Sequence, residues 1–148
     1  MANLKYNIGA VGIADGSVDF LVDTIEVLFT KSTYAPNKDD TNTVLAAAEL
    51  ASLTGYVPGF GGAGRKVLAS KTVTNDTTND RAVYDAADPS VWTIAAGDTI
   101  GGMIVQKKGS ASDATAVLLD FIDFTDTPTN GGTVTVTFDA TGISYTQQ

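Results

Sequence analysis

Carboxylates and one glycine-rich stretch are the groups from which any chemistry in this sequence would have to be built. Acidic pairs occur as Asp39-Asp40 and in the run Asp120-x-x-Asp123-x-x-Asp126. Two facing carboxyl groups are the machinery of general acid–base hydrolysis. Strand periodicity argues against convergence here, because a spacing of three sends Asp120 and Asp123 to opposite faces of a sheet; they read as solvated charges at a strand end. Gly59-Phe60-Gly61-Gly62-Ala63-Gly64 is a literal G-x-G-x-x-G. That fingerprint holds a pyrophosphate only when a buried strand leads in and a helix N-terminus follows. Pro58 leads in and a strand-like run follows, so the stretch reads as a flexible loop or a subunit contact. Asn75-Asp76-Thr77-Thr78-Asn79-Asp80 has calcium-ligand residue types without the Asp-x-Asp-x-Asp-Gly spacing or the distal Glu, and reads as a solvated hairpin end. Neither a Ser-x-x-Lys pair nor a Gly-x-Ser-x-Gly elbow is present.

The residues that are missing narrow the chemistry further. The chain has no histidine, so the usual neutral-pH base and the commonest zinc ligand are absent, and no cysteine, so disulfides, thiolate nucleophiles and sulfur-ligated metal sites are absent too. Enzyme activity, cofactors and metals are therefore not expected. Nine basic residues against seventeen acidic ones give a net charge of −8, which repels phosphate backbones, so nucleic acid is not an expected partner. The first seventeen residues are too short and too interrupted by Asn7, Gly9 and Gly12 for a signal peptide or membrane span. The expectation is a soluble chain with no membrane partner, made in a cytoplasm.

The elements that would carry these residues are mostly strands, organised around residues 24–30. Ile25, Val27 and Phe29 alternate against Glu26 and Thr30, one buried face of a pleated strand, while Leu28 breaks the pattern and predicts cover on both sides. Before it, Leu4, Ile8 and Val11 share one face of a short helix weakened by glycine, with a short strand as the alternative. Residues 42–53 have helix composition with Gly55 as a stop, and Val44, Ala47, Ala48 and Ala51 on one face, although residues 49–56 also fit a ragged strand.

Later segments read as strands over 67–74 and 81–86 around the Asn/Asp turn, and over 91–94, where Trp92 reads as a core plug. Within 99–107, Ile100 and Ile104 oppose Met103 and Val105, and Gly101-Gly102 predicts a bulge or close approach. Across 115–123, Val117, Leu119 and Phe121 oppose Leu118, Asp120 and Ile122 in a strand near the sheet centre. Residues 125–132 form a turn, 133–139 a half-exposed strand, and Ile143 and Tyr145 finish the sheet. Together these predict a mainly β fold, an antiparallel β-sandwich with Greek-key or jelly-roll connections and one short helix. The domain is single, 1–148, with about residues 1–14 as an arm or helix.

Several segments, in order, resemble one group of proteins. Asp19-Phe20-Leu21-Val22-Asp23-Thr24-Ile25-Glu26-Val27 and Ser32-Thr33-Tyr34-Ala35-Pro36-Asn37-Lys38-Asp39 look like the opening of small virion structural proteins of tailed bacteriophages. Thr54-Gly55-Tyr56, Lys71-Thr72-Val73-Thr74, Tyr84-Asp85-Ala86-Ala87-Asp88 with Trp92, Leu119-Asp120-Phe121 and Phe138-Asp139-Ala140-Thr141-Gly142-Ile143 continue the resemblance over most of the chain. It departs at 46–53 and at 59–64. The resemblance implies a capsid decoration or cement subunit on the virion exterior, contacting the major capsid protein and other copies of itself, as a trimer. Tail, neck or fibre placement, with binding to a virion partner or a host glycan, is the alternative. Partner contacts are expected at Leu4, Tyr6, Ile8, Tyr34, Pro36, Tyr56 and Phe60, within loops and a terminal segment that can order on binding.

Overall fold

The computed structural model describes residues 3–139 and 141–147. The fold is mainly β and antiparallel, as the sequence predicts. In chain order the elements are β1 (Leu4–Lys5), α1 (Asn7–Asp15), β2 (Ile25–Lys31), a 3₁₀ turn (Asn42–Val44), α2 (Leu45–Ala48), β3 (Lys66–Val67), β4 (Thr72–Asp76), β5 (Arg81–Asp85), β6 (Trp92–Thr93), β7 (Thr99–Lys107), a second 3₁₀ turn (Asp113–Thr115), β8 (Val117–Pro128), β9 (Thr133–Val134) and β10 (Ser144–Gln147). The main sheet has the order β1-β8-β7-β2-β3; β10-β5-β4 forms a second sheet and β6-β9 a two-stranded ribbon.

Strand β2 is buried from Ile25 to Thr30, so both faces of the sheet are covered, as Leu28 foretold. On one face Ile25, Val27 and Phe29 join Met103, Val105 and Leu119 and pack against Trp92, Ile94, Tyr84 and Val136 from the smaller sheets and their connections. On the other, Leu28, Ile104, Leu118 and Phe121 are covered by Tyr6, Leu45, Ala48 and Ala116. The main sheet is thus covered on one face by residues of the smaller sheets and on the other by the helical segments.

Several expectations need correction. Among the described residues there are two α-helices, α1 being the helix that the N-terminal segment offered as one alternative. The helix expected over 42–53 shrinks to a 3₁₀ turn and four α residues, because Glu49 leaves it to bridge Thr30 and the Leu50 amide donates to Phe29 O, so sheet pairing overrides helix propensity. Its buried residues are Leu45 and Ala48, while Ala47 and Ala51 are exposed. In α1 the buried positions are Gly9 and Gly12, and Val11 is 61% exposed. A Cβ at Gly9 would sit 2.5 Å from the Leu118 carbonyl oxygen, so glycine is what lets α1 lie directly on β8.

The strand expected over 67–74 divides: β3 pairs with β2, and after Leu68 the chain crosses to β4 in the second sheet. Register shifts between Ile100 and Gly102 and between Val105 and Gln106 break the alternation of β7 and β8. Ile100 therefore joins Met103 and Val105 rather than Ile104, and Leu119 and Phe121 part to opposite faces. Strand β8 runs through Pro128, past the turn expected from 125, while β9 stops at Val134 rather than 139. The final strand, β10, pairs with β5.

Candidate functional site

Glu26 and Gln106 are cross-strand partners on β2 and β7, both in the interior, where an isolated charge is costly unless paired. The pairing comes from Arg65, delivered by the glycine-rich loop just before β3. Its guanidinium grips Glu49 in a fork, with Nε donating to Oε1 at 3.0 Å and Nη2 to Oε2 at 2.7 Å. It grips Asp113 in a second fork, at 2.6 and 2.9 Å, and Nη1 also donates to Glu26 Oε1 at 3.3 Å. All five N–H donors are thus used, the arrangement for which the planar guanidinium is suited. Gln106 Nε2 donates to Glu26 at 2.9 Å, and the Tyr56 hydroxyl donates to Glu49 at 3.2 Å while accepting the Phe29 amide at 3.0 Å.

Burial by itself would lower the Arg65 pKa, but the Glu49 and Asp113 carboxylates outweigh it and hold the guanidinium above even its ordinary range. Burial, then the negative charge of Glu49, pushes the Tyr56 hydroxyl far up. Each carboxylate is occupied with a cation of the chain's own, which suits a clamp and not a proton-transfer pair. Among the described residues, no group of three or more His, Cys, Asp or Glu is arranged to hold a metal ion.

The clamp anchors residues 55–64. Gly59 N–H donates to Glu49 Oε2 at 3.0 Å, so the first glycine of the fingerprint binds a carboxylate of this chain, and strand β3 follows the loop instead of a helix. Gly64 lies against the Tyr56 ring, 2.8 Å from where a Cβ would be, and its carbonyl accepts the Trp92 indole N–H at 2.7 Å. From this fixed base Val57 and Phe60 project outward, Phe60 being 39% exposed with the Lys108 ammonium 5.0 Å from its ring centre.

A second surface joins the N-terminal segment to the loop after β2. Leu4, Ile8 and Tyr34 pack with the fully buried Tyr6. Tyr6 and Tyr34 share a hydroxyl–hydroxyl bond of 3.0 Å, and Tyr34 donates to Asp40 at 2.7 Å. Burial pushes the Tyr6 pKa up to about 12; burial and the bonds to Tyr6 and Asp40 push Tyr34 higher. Outside this relay, Asn7 donates its backbone amide to Lys38 O and its side-chain amide to Asp39. Leu4, Tyr6, Ile8 and Tyr34 are therefore brought together, with half-buried Pro36 on the same loop, while Phe60 stands apart. Tyr6 and Tyr56 offer no ring to a partner, being wholly inside the chain.

Asp39 and Asp40 are spent on these loop bonds, and Asp120, expected as a solvated charge at a strand end, is instead buried within β8 and paired with Lys5 at 3.0 Å. Sequence reasoning missed Arg65, Glu49, Asp113 and Gln106 and gave Glu26 no partner. The available signal was Glu26 itself, an acid inside a strand expected to be covered on both sides. No protein-family model, curated protein or solved structure matches the chain. No helix among the described residues is long and apolar enough to cross a membrane.

Proposed function

We propose that the chain is a non-enzymatic structural subunit of a tailed-phage virion, a capsid decoration protein that stabilises the shell from outside by contacts with the major capsid protein and with its own copies. The observation that carries this reading is the anchored loop. Residues 55–64 hold Val57 and Phe60 outward from a base fixed by the Arg65 clamp, so little ordering entropy remains to be lost on docking. The ordered set of segments that resemble virion proteins supports it, and the charge of −8 suits a surface facing away from packaged DNA. A ligand of the assembled shell raises the shell's stability by mass action. Purified protein added to undecorated shells is expected to co-sediment with them and raise their disruption temperature; absence of both effects rejects the reading.

A tail, neck or fibre position with a host glycan stacked on Phe60 is the second reading. It is favoured by the exposed ring beside a shallow depression lined by Thr24, Lys107, Ser110 and Thr115. Phe60→Ala then abolishes glycan binding, whereas the decoration reading predicts no glycan binding to lose.

A further inference from the structure

Strand β4 is the outer strand of the three-stranded sheet, and its free side is unusual for this chain. Residues 72–75 are all exposed and make no backbone hydrogen bonds beyond the ladder to β5 among the described residues. The ladder runs without a register shift from Thr72 opposite Asp85 to Asp76 opposite Arg81. An open edge of this kind presents a row of unpaired N–H and C=O groups, and proteins blunt such edges with brevity, lysine, proline, bulges or covering segments. The edges of the main sheet are blunted. Strands β1 and β3 are two residues long and contain Lys5 and Lys66; the part of β8 beyond β1 contains Asp123, Asp126 and Pro128. In contrast, Thr72-Val73-Thr74-Asn75 is uncharged, mostly β-branched and straight.

An apolar flank adjoins it. Val73 is 40% exposed opposite Tyr84, Tyr84 packs edge-on against Phe20 with ring centres 5.4 Å apart, and Lys71 bonds Asp23 O. This fixes the turn bearing exposed Leu21 and Val22 beside the start of β4.

The geometry points to β4 of a second copy of this chain as the occupant, paired antiparallel about a two-fold axis at Thr74 so that the two three-stranded sheets become one of six. In that register Thr74 faces the partner's Thr74, Val73 faces the partner's Asn75 and Thr72 faces the partner's Asp76. The strand's lone charge never meets a like charge, which matters for two molecules of net charge −8. Strand β10, the sheet's other edge, runs parallel to β4, so a head-to-tail join would need the less stable parallel ladder. A two-fold join uses one patch twice and closes. The inference does not depend on a place in a virion, and it replaces the trimer that the resemblance implies with a two-fold pair.

Light scattering over a dilution series is expected to give twice the 15.3 kDa of the chain at high concentration, falling toward 15.3 kDa on dilution. Amide exchange at alternate β4 positions should slow as concentration rises. Thr74→Lys, which sets two ammonium groups against each other at the axis, should give a monomer at every concentration with an unchanged circular-dichroism spectrum. If that variant folds poorly, the exchange measurement on the unsubstituted chain decides. A monomer throughout, a trimer, an oligomer that survives Thr74→Lys, or β4 amides whose exchange ignores concentration would each overturn the inference.

Discussion

Replacing Arg65 with methionine would leave Glu26, Glu49 and Asp113 facing one another without their shared cation. Removing one partner of a buried ion cluster costs about 3–5 kcal/mol, because the remaining charges stay desolvated and uncompensated. Denaturant unfolding of Arg65→Met should show a loss of that size, and the 55–64 loop should become susceptible to proteolysis before the sheet does. Tyr6 gives a second, opposite kind of test. Its folded pKa is raised above that of the unfolded chain, so its contribution is fully present below about pH 10 and is lost as pH climbs toward about 12. Tyrosinate absorbance from Tyr6 should therefore appear together with alkaline unfolding; ionisation of all five tyrosines in the folded chain at pH 10 would contradict the buried relay.

At the scale of elements, α1 shows how sequence and structure diverge. Alanine at Gly9 raises helix propensity by about 1 kcal/mol, yet its Cβ would press on the backbone of Leu118 and Leu119, and overpacking costs roughly 1–3 kcal/mol. Gly9→Ala is thus expected to lower the melting temperature despite the better helix former, while a rise would mean that α1 is free to lift from β8. The periodicity rules found β2, β5 and β7 because the side chains of these strands report their burial directly. They failed on residues 42–53, where alanines favour a helix but Glu49 is needed by Arg65 and by the bridge to Thr30. They failed again where register shifts along β7 and β8 reversed the faces of Ile100 and Phe121. Both kinds of failure come from long-range pairing, which no local window contains. The candidate surfaces were legible as loops. Their anchoring was not, since the clamp joins residues as distant in sequence as Glu26 and Asp113.

For the whole molecule, charge sets the conditions under which the fold survives. Hydrogen bonds from Asn79 and Arg81 hold Asp76 below the usual carboxylate range, and Ser17 and Thr141 do the same for Asp15 and Asp139. Burial works to raise Asp23, but Lys107 2.9 Å away and the Asp19 amide outweigh it. A depressed carboxyl stabilises the fold above about pH 4 and loses that contribution as pH falls through its folded pKa. With no histidine to titrate between, a pH series of melting temperatures should show a plateau from about pH 5 to pH 9 that falls on both sides. A step near pH 6 would contradict this. The proposed role rests on the surfaces such a stable frame presents. Its most direct test is the copy number of this chain in purified virions of the phage proposed to encode it, measured by quantitative mass spectrometry against the major capsid protein. The decoration account predicts a number on the scale of the capsid protein itself, and a handful of copies per particle, or none, would contradict it.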